Sequence, residues 1–443
     1  AASNPAPPAV AFFAHLDGEW MRAALGDLDA VPLDLPRRQA ADRLREFEAA
    51  TGLSITDVLL PNVESAEAIR PSEAGAPWHL ELYTTDERRF ERAVWDPLVR
   101  AVGRRRSGGI VQFSVPGWPT FHAFREGRRV RILVGGDGAP PASREFAPPT
   151  PPGAAARRPA DPEASWVWWG RGVLSGKGPW AGREGRALLD HEGRAYSASF
   201  ELRAEGTEGV LAAARPANLK SRLEAIETTA VFFAGRGVAG AAVEGLGRID
   251  TAKIAGLFAL DLGRLVAGWV GDEVSVQIVE NTRPGREGTF PGAALTVETS
   301  SPRLARAALT AMERELGNWD MRFESEEYRG IELRSGALKL LPRCRPTWAI
   351  LGDSVVVGYH PDFARLLVDK SVNSRVHPLL ADLPDADWLG FIDYAVVDRI
   401  NERLNASLAE SDLPLEASRL KDVVFWAKED GPRVSGRLVV DLR

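Results

Sequence analysis

The chain has 443 residues, 55 Lys and Arg against 61 Asp and Glu, a net charge of -6 and an apolar fraction of 44%. Such a length buries a core without metal or disulfide staples, and at roughly 150 residues per domain it implies about two or three domains. The single cysteine, Cys344, excludes an intrachain disulfide and a thiolate-rich metal site; the mixed charge argues against a nucleic-acid binder, and no apolar run is long enough for a transmembrane helix.

Residues 1–8, Ala1-Ala2-Ser3-Asn4-Pro5-Ala6-Pro7-Pro8, are small and Pro-rich, and are expected to form a disordered tail. Tails of this kind follow a removed signal sequence or lipobox. The expected location is therefore extracytoplasmic, periplasmic or at the surface, with a lipid anchor before trimming as one option.

An internal repeat organises the rest of the chain. Ala9-Val10-Ala11-Phe12-Phe13-Ala14 recurs as Thr229-Ala230-Val231-Phe232-Phe233-Ala234, each a short apolar run of strand type. The segment from Leu82 to Ala93 aligns with that from Thr296 to Ala307, a strand running into a helix start. Thr85 and Ser300 stand where a cap belongs, and Pro302 suits the first turn. Val130 to Gly135 resembles Val355 to Gly358, a strand after a tight turn. Gly193 to Leu202 resembles Gly431 to Val440, both alternating with period two after a charged turn.

Four matches in one order predict an α+β fold of two homologous lobes, each an antiparallel sheet with helices packed on one face. Lobe one is expected over 9–215, a linker over 216–224 and lobe two over 225–443. Within lobe one, about 136–163 carries Pro140-Pro141, Pro148-Pro149 and Pro151-Pro152, and reads as a disordered or polyproline-like loop.

The chemical motifs are weak. Gly235-Arg236-Gly237-Val238-Ala239-Gly240 has the spacing of a dinucleotide fingerprint, with Asp261 about 20 residues on. The matching segment of lobe one, His15 to Trp20, has one glycine and places acids where a phosphate would sit, so a glycine-eased turn is the better reading. Gly172 to Gly178 fails the P-loop spacing, and Gly178 stands where magnesium would need Ser or Thr. The six histidines form no short metal pair, and Cys344 between Arg343 and Arg345 lacks an identifiable His partner. Glu324, Glu326 and Glu327, and Asp382, Asp385 and Asp387, read as charged surface. The Asn405-Ala406-Ser407 sequon carries little weight in a chain whose Arg, Ala and Gly usage looks bacterial. No catalytic, cofactor-binding or metal-ligating residue is therefore expected, and no cofactor.

The 13 Trp against 5 Tyr are the remaining signal. Core packing is one explanation; an aromatic surface for a ligand or partner is the other, with Trp78, Trp95, Trp118, Trp166, Trp168 and Trp169 as its candidate wall.

Glu327-Tyr328-Arg329-Gly330-Ile331-Glu332, then Pro346 to Gly358, then the helix-like Pro361 to Asp369 come in an order that resembles a family of exported bacterial proteins with a domain of unknown function, here in two tandem copies. The resemblance covers roughly 230–400 and reaches lobe one only through the repeat. It implies an extracytoplasmic α+β protein and carries over no catalytic residues. The expected function is a non-enzymatic scaffold or binding component of a bacterial envelope or surface assembly. One alternative is a carrier of an apolar, lipid-like ligand in a groove between the lobes; another is a hydrolase with a non-linear active site. The expected partner is an envelope protein or an apolar ligand, not nucleic acid.

Overall fold

The computed structural model describes residues 10–26, 34–72, 76–105, 109–115, 118–135, 164–170, 184–203, 219, 225–237, 268–280, 291–318, 320–337, 345–372, 375–407, 419–431 and 433–443. The expected tail at 1–8, the loop at 136–163 and the linker at 216–224 (Leu219 apart) lie outside the described residues, as do Gly172 to Gly178, Asp261 and Cys344. The chain divides into two compact units, residues 1–211 with 430–443, and residues 212–429.

The first unit is built on β1 (Val10–Asp17), α1 (Gly18–Gly26), α2 (Asp34–Thr51), β2 (Val63–Pro71), β3 (Trp78–Thr84), α3 (Glu87–Phe90), α4 (Asp96–Val102), β4 (Gly103–Arg105), β5 (Val111–Phe113), β6 (Phe121–Glu126), β7 (Arg129–Val134), β8 (Ser165–Trp169), β9 (Glu184–Glu192) and β10 (Ala195–Arg203). The ladders are antiparallel and run β4-β5-β6-β7-β3-β2-β1-β8-β9-β10.

The second unit holds β11 (Thr229–Arg236), β12 (Val270–Val279), β13 (Gly292–Thr299), α5 (Pro302–Gly317), β14 (Arg322–Tyr328), β15 (Ile331–Ala337), β16 (Thr347–Leu351), β17 (Ser354–Gly358), α6 (Pro361–Val372), α7 (Pro378–Ala381), β18 (Trp388–Asp393), α8 (Tyr394–Ser407) and β19 (Leu420–Asp430). Its antiparallel order is β14-β15-β16-β17-β13-β12-β11-β18-β19. Strand for strand, this is the order of the first unit from β4 to β9. The last strand, β20 (Arg433–Leu442), pairs with β10 from Ala195↔Asp441 to Arg203↔Arg433 and belongs to the first unit, whereas the sequence boundary at 225–443 kept it with the second. The fourth sequence match therefore consists of two strands that are ladder partners.

Local chemistry explains the helix starts. The Asp86 carboxylate accepts the Arg89 N–H at 2.6 Å, and the Ser301 hydroxyl accepts the Leu304 N–H at 3.3 Å, with Pro302 in the first turn. Just before each cap, the Thr84 hydroxyl donates to the Arg128 carbonyl and the Thr299 hydroxyl to the Trp269 carbonyl. The caps stand one residue after Thr85 and Ser300.

These shared anchors set the correspondence. Leu82 faces Val130 and Ala66, and Ala66 faces Leu16; Val297 faces Val355 and Val274, and Val274 faces Gly235. Position 16 thus matches 235, and Phe13 matches Phe232. The sequence alignment of Phe12-Phe13 with Phe232-Phe233 is one residue out of step. In a strand such a slip exchanges the two faces, and burial agrees with the ladder: Phe13 is 4% exposed, Phe232 1% and Phe233 39%.

Helix placement departs from the one-face expectation in the second unit. α5 packs Ala305 and Leu309 on Val297, Val355 and Trp348, while α6 packs Leu367 on Ala294 and Val356. Neighbours Val355 and Val356 point to opposite faces, so helices cover both. The unbroken Val355-Val356-Val357 run is what a doubly covered strand requires. In the first unit the Trp95–Phe113 core, with Phe90, Val94 and Val111, lies under the α3–α4 segment.

Candidate functional site

Most of the Trp wall is core. Trp95 is 9% exposed and meets Phe113 edge-on at 5.8 Å. Trp166 and Trp168 are each 5% exposed and pack with Val10, Phe13 and Ile69. Trp118 is half-buried against Phe47, and Trp169 fills the space beside Gly185. Of the six, Trp78 alone is exposed; it lies 5.9 Å from Phe12, with the Arg70 guanidinium over its ring at 5.6 Å. The tryptophans are spread over three separate clusters and form no single wall.

The exposed apolar face lies elsewhere. On β12 the alternation is inverted: Ser275 and Gln277 are each 1% exposed, while Val276 and Ile278 are 43% and 37%. The buried side is satisfied, since the Thr229 hydroxyl donates to the Gln277 carbonyl oxygen at 3.1 Å. The open side continues across the ladder as Leu295, Val276, Phe233, Gly390 and Phe425; in the next row Ile278 faces Val231, which packs on Val396 and Ile400 of α8. Leu295 is also exposed, and Phe233 and Phe425 lie parallel at 6.1 Å. At the corresponding positions the first unit has Ala14 for Phe233, Ala68 for Val276 and Arg70 for Ile278. The ladder does not demand large apolar groups there.

The reverse contrast holds on the other sheet face. The first unit sets His15, Glu67, Glu81 and Arg131 in one cross-strand row, where the second has Ala234, Ser275, Thr296 and Val356. His15 Nδ1 is 3.4 Å from Glu67, and Arg131 donates to Glu81 at 3.3 Å, with Arg129 at 3.7 Å. Glu67, Glu81, Arg131, Ile69 and His79 line a small cavity. Burial pushes the His79 pKa down. Burial, then the Glu67 and Glu81 charges, push the Tyr83 hydroxyl up.

The Gly235-Arg236-Gly237 segment does not sit in a nucleotide fold. β11 is antiparallel to both β12 and β18, whereas the fingerprint needs a parallel strand feeding a helix. The Gly237 N–H, at φ 69°, donates to Asp272 at 3.0 Å, and Arg236 pairs with Asp387 at 3.3 Å in a buried site. Gly237 supplies the turn conformation that the sequence asked of it; residues 238–240 lie outside the described set. Of the carboxylate clusters, Glu324 pairs with Arg345 and Glu326 with Arg365, as surface ion pairs. Asp387 is the exception, drawn inside by Arg236 and by the Glu429 N–H. No group of three or more possible metal ligands occurs among the described residues, and no helix among them is long and apolar enough to cross a membrane.

No family model matches the chain, and no curated protein is similar to it. Among solved structures, crystal form IV of TP0453 is similar with a TM-score of 0.31 and 7% identity, over 44% of this chain and 77% of that one. Crystal form III gives 0.31 and 7% over 46% and 80%, and crystal form I 0.31 and 8% over 46% and 78%. At that score the likeness carries no inference about function.

Proposed function

We propose that the protein is a non-enzymatic binding component of a bacterial envelope assembly, made of two homologous lobes, and that it binds through the open sheet face of residues 212–429. The inverted alternation of β12 carries this reading. Burying Ser275 and Gln277 while exposing Val276 and Ile278 runs against the hydrophobic sorting that stabilises a sheet, and a contiguous apolar face of this kind marks an interaction surface. The common strand order supports duplication, after which one copy kept Ala14 and Ala68 where the other carries Phe233 and Val276. The extracytoplasmic setting rests on the sequence resemblance.

Photo-crosslinking in cells tests it, with a benzophenone side chain at position 276 and a control at the exposed Leu438 of the first unit. The expected result is a discrete adduct from 276 that disappears when Phe233→Glu is added. Equal labelling from 276 and 438 would sink the reading.

A further inference from the structure

We propose that the open face receives one amphipathic α-helix of a partner protein. The inference rests on the binding reading and names the kind of partner for the same site. Two helices of the chain already sit on this side of the sheet. α5 covers Val274, Val297 and Val355 through Ala305 and Leu309. α8 covers Val231 through Val396 and Ile400. Each contact uses an apolar pair four residues apart, the spacing that places two side chains on one helical face. Phe233, Val276, Ile278 and Leu295, each 37% to 43% exposed, lie between the two contacts.

The gap has the width of a helix. On β12, Val274 packs with the α5 cluster, and Glu280, six residues on, is held by Arg399 and Arg403 of α8 at 2.9 and 3.0 Å. Six residues of strand span roughly 20 Å at about 3.3 Å each. A helix with its side chains is about 10–12 Å across, and neighbouring helices pack about 8–10 Å apart, so one helix fits over Val276 and Ile278 and a second does not. The floor is long enough as well. From Leu295 through Val276, Phe233 and Gly390 to Phe425 it crosses five strands, roughly 19 Å at about 4.8 Å per strand, or about 13 helical residues.

Recognition here is apolar. Arg399 and Arg403 are already engaged by Glu280, whose side chain is 4% exposed, and Lys421 has Asp422 at 3.9 Å. An apolar stripe laid into a hydrophobic groove is the helix-in-groove mode, read as anchors at i, i+3, i+4 and i+7. The first unit, with Ala14, Ala68 and Arg70 at the matching positions, offers no such floor.

Benzophenone side chains at 233, 276 and 295, one per variant, test the proposal in cells that make the full chain, with each adduct mapped to its residue by mass spectrometry. The expected result is one partner protein, cross-linked at sites three, four or seven residues apart. Leu295→Glu should lower the yield from 276 about tenfold or more, since the partner loses an apolar contact. Leu438→Glu in the first unit should leave that yield unchanged. Leu295→Ser, with its fold checked by circular dichroism, serves if the charged variant fails to fold. Adducts on lipid, or at partner sites two residues apart or scattered, would overturn the helix and leave the binding reading in place. An adduct only within this chain, or equal labelling from 276 and 438, would remove both.

Discussion

Glu313 accepts the indole N–H of Trp348 at 2.8 Å while also taking the Arg334 guanidinium in a two-armed contact at 3.0 and 2.5 Å. The carboxylate is buried on α5, Trp348 on β16, and Arg334 is partly open on β15. One charged group thus fixes the helix to two strands. Glu313→Ala leaves a buried N–H and a guanidinium without their acceptor, and should cost about 3 kcal/mol in urea unfolding. Glu313→Gln keeps an acceptor for Trp348 and should cost less.

Gly292 opens β13 beneath α6. A Cβ there would meet the Phe363 ring at 1.8 Å, and Phe363 is 2% exposed. The ring has no free volume to retreat into, so Gly292→Ala should destabilise by about 1–3 kcal/mol through overpacking. Shortening the ring in the double variant Gly292→Ala with Phe363→Leu should recover part of that loss in thermal melts.

Two histidines make stability depend on pH in one direction. Burial pushes His79 in the first unit and His377 in the second below the ordinary value of 6.5. The unfolded chain then takes up protons that the folded chain refuses. Stability is full above about pH 6.5 and falls as the pH drops through it. His377 adds a geometric reason: its Nδ1 accepts the Leu379 N–H at 3.3 Å at the start of α7, with the ring stacked on Phe391 at 4.3 Å. A protonated ring cannot accept. The melting temperature should fall as the pH drops below about 6.5, and His377→Asn, which can still cap, should flatten that fall. An unchanged slope would remove His377 from the account.

Strand and hairpin signals were legible because turns punctuate them. Gly127, Gly352, Gly193 and Gly431 sit at positive φ where the repeat places tight turns. The Phe-Phe doublets located β1 and β11 but not their facing, since either ring of such a pair can point inward. The open face was hidden for a related reason. Val274-Ser275-Val276-Gln277-Ile278 has ideal alternation, and alternation alone says the apolar side is the buried one. The packing of β12 between β11 and β13, with Thr229 supplying a partner for Gln277, reverses that assignment at Val276 and Ile278, while Val274 on the same side still packs under α5. The tryptophans misled in the opposite sense: large aromatic rings were the conspicuous residues, and the core absorbed most of them.

The strand that changes units gives the last prediction. β10 carries β9 on one side and β20 on the other, through nine matched positions from Ala195↔Asp441 to Arg203↔Arg433. Removing 432–443 would leave β10 with an open edge and expose Leu202, now 2% exposed. The loss should reach the first unit although the deleted residues are the end of the chain. Hydrogen exchange should accelerate across Glu184–Glu192 and Ala195–Arg203 and stay slow across Gly292–Thr299 and Ser354–Gly358. Acceleration confined to residues 212–429 would instead place the C-terminal strand with the second unit, where the repeat in the sequence had put it.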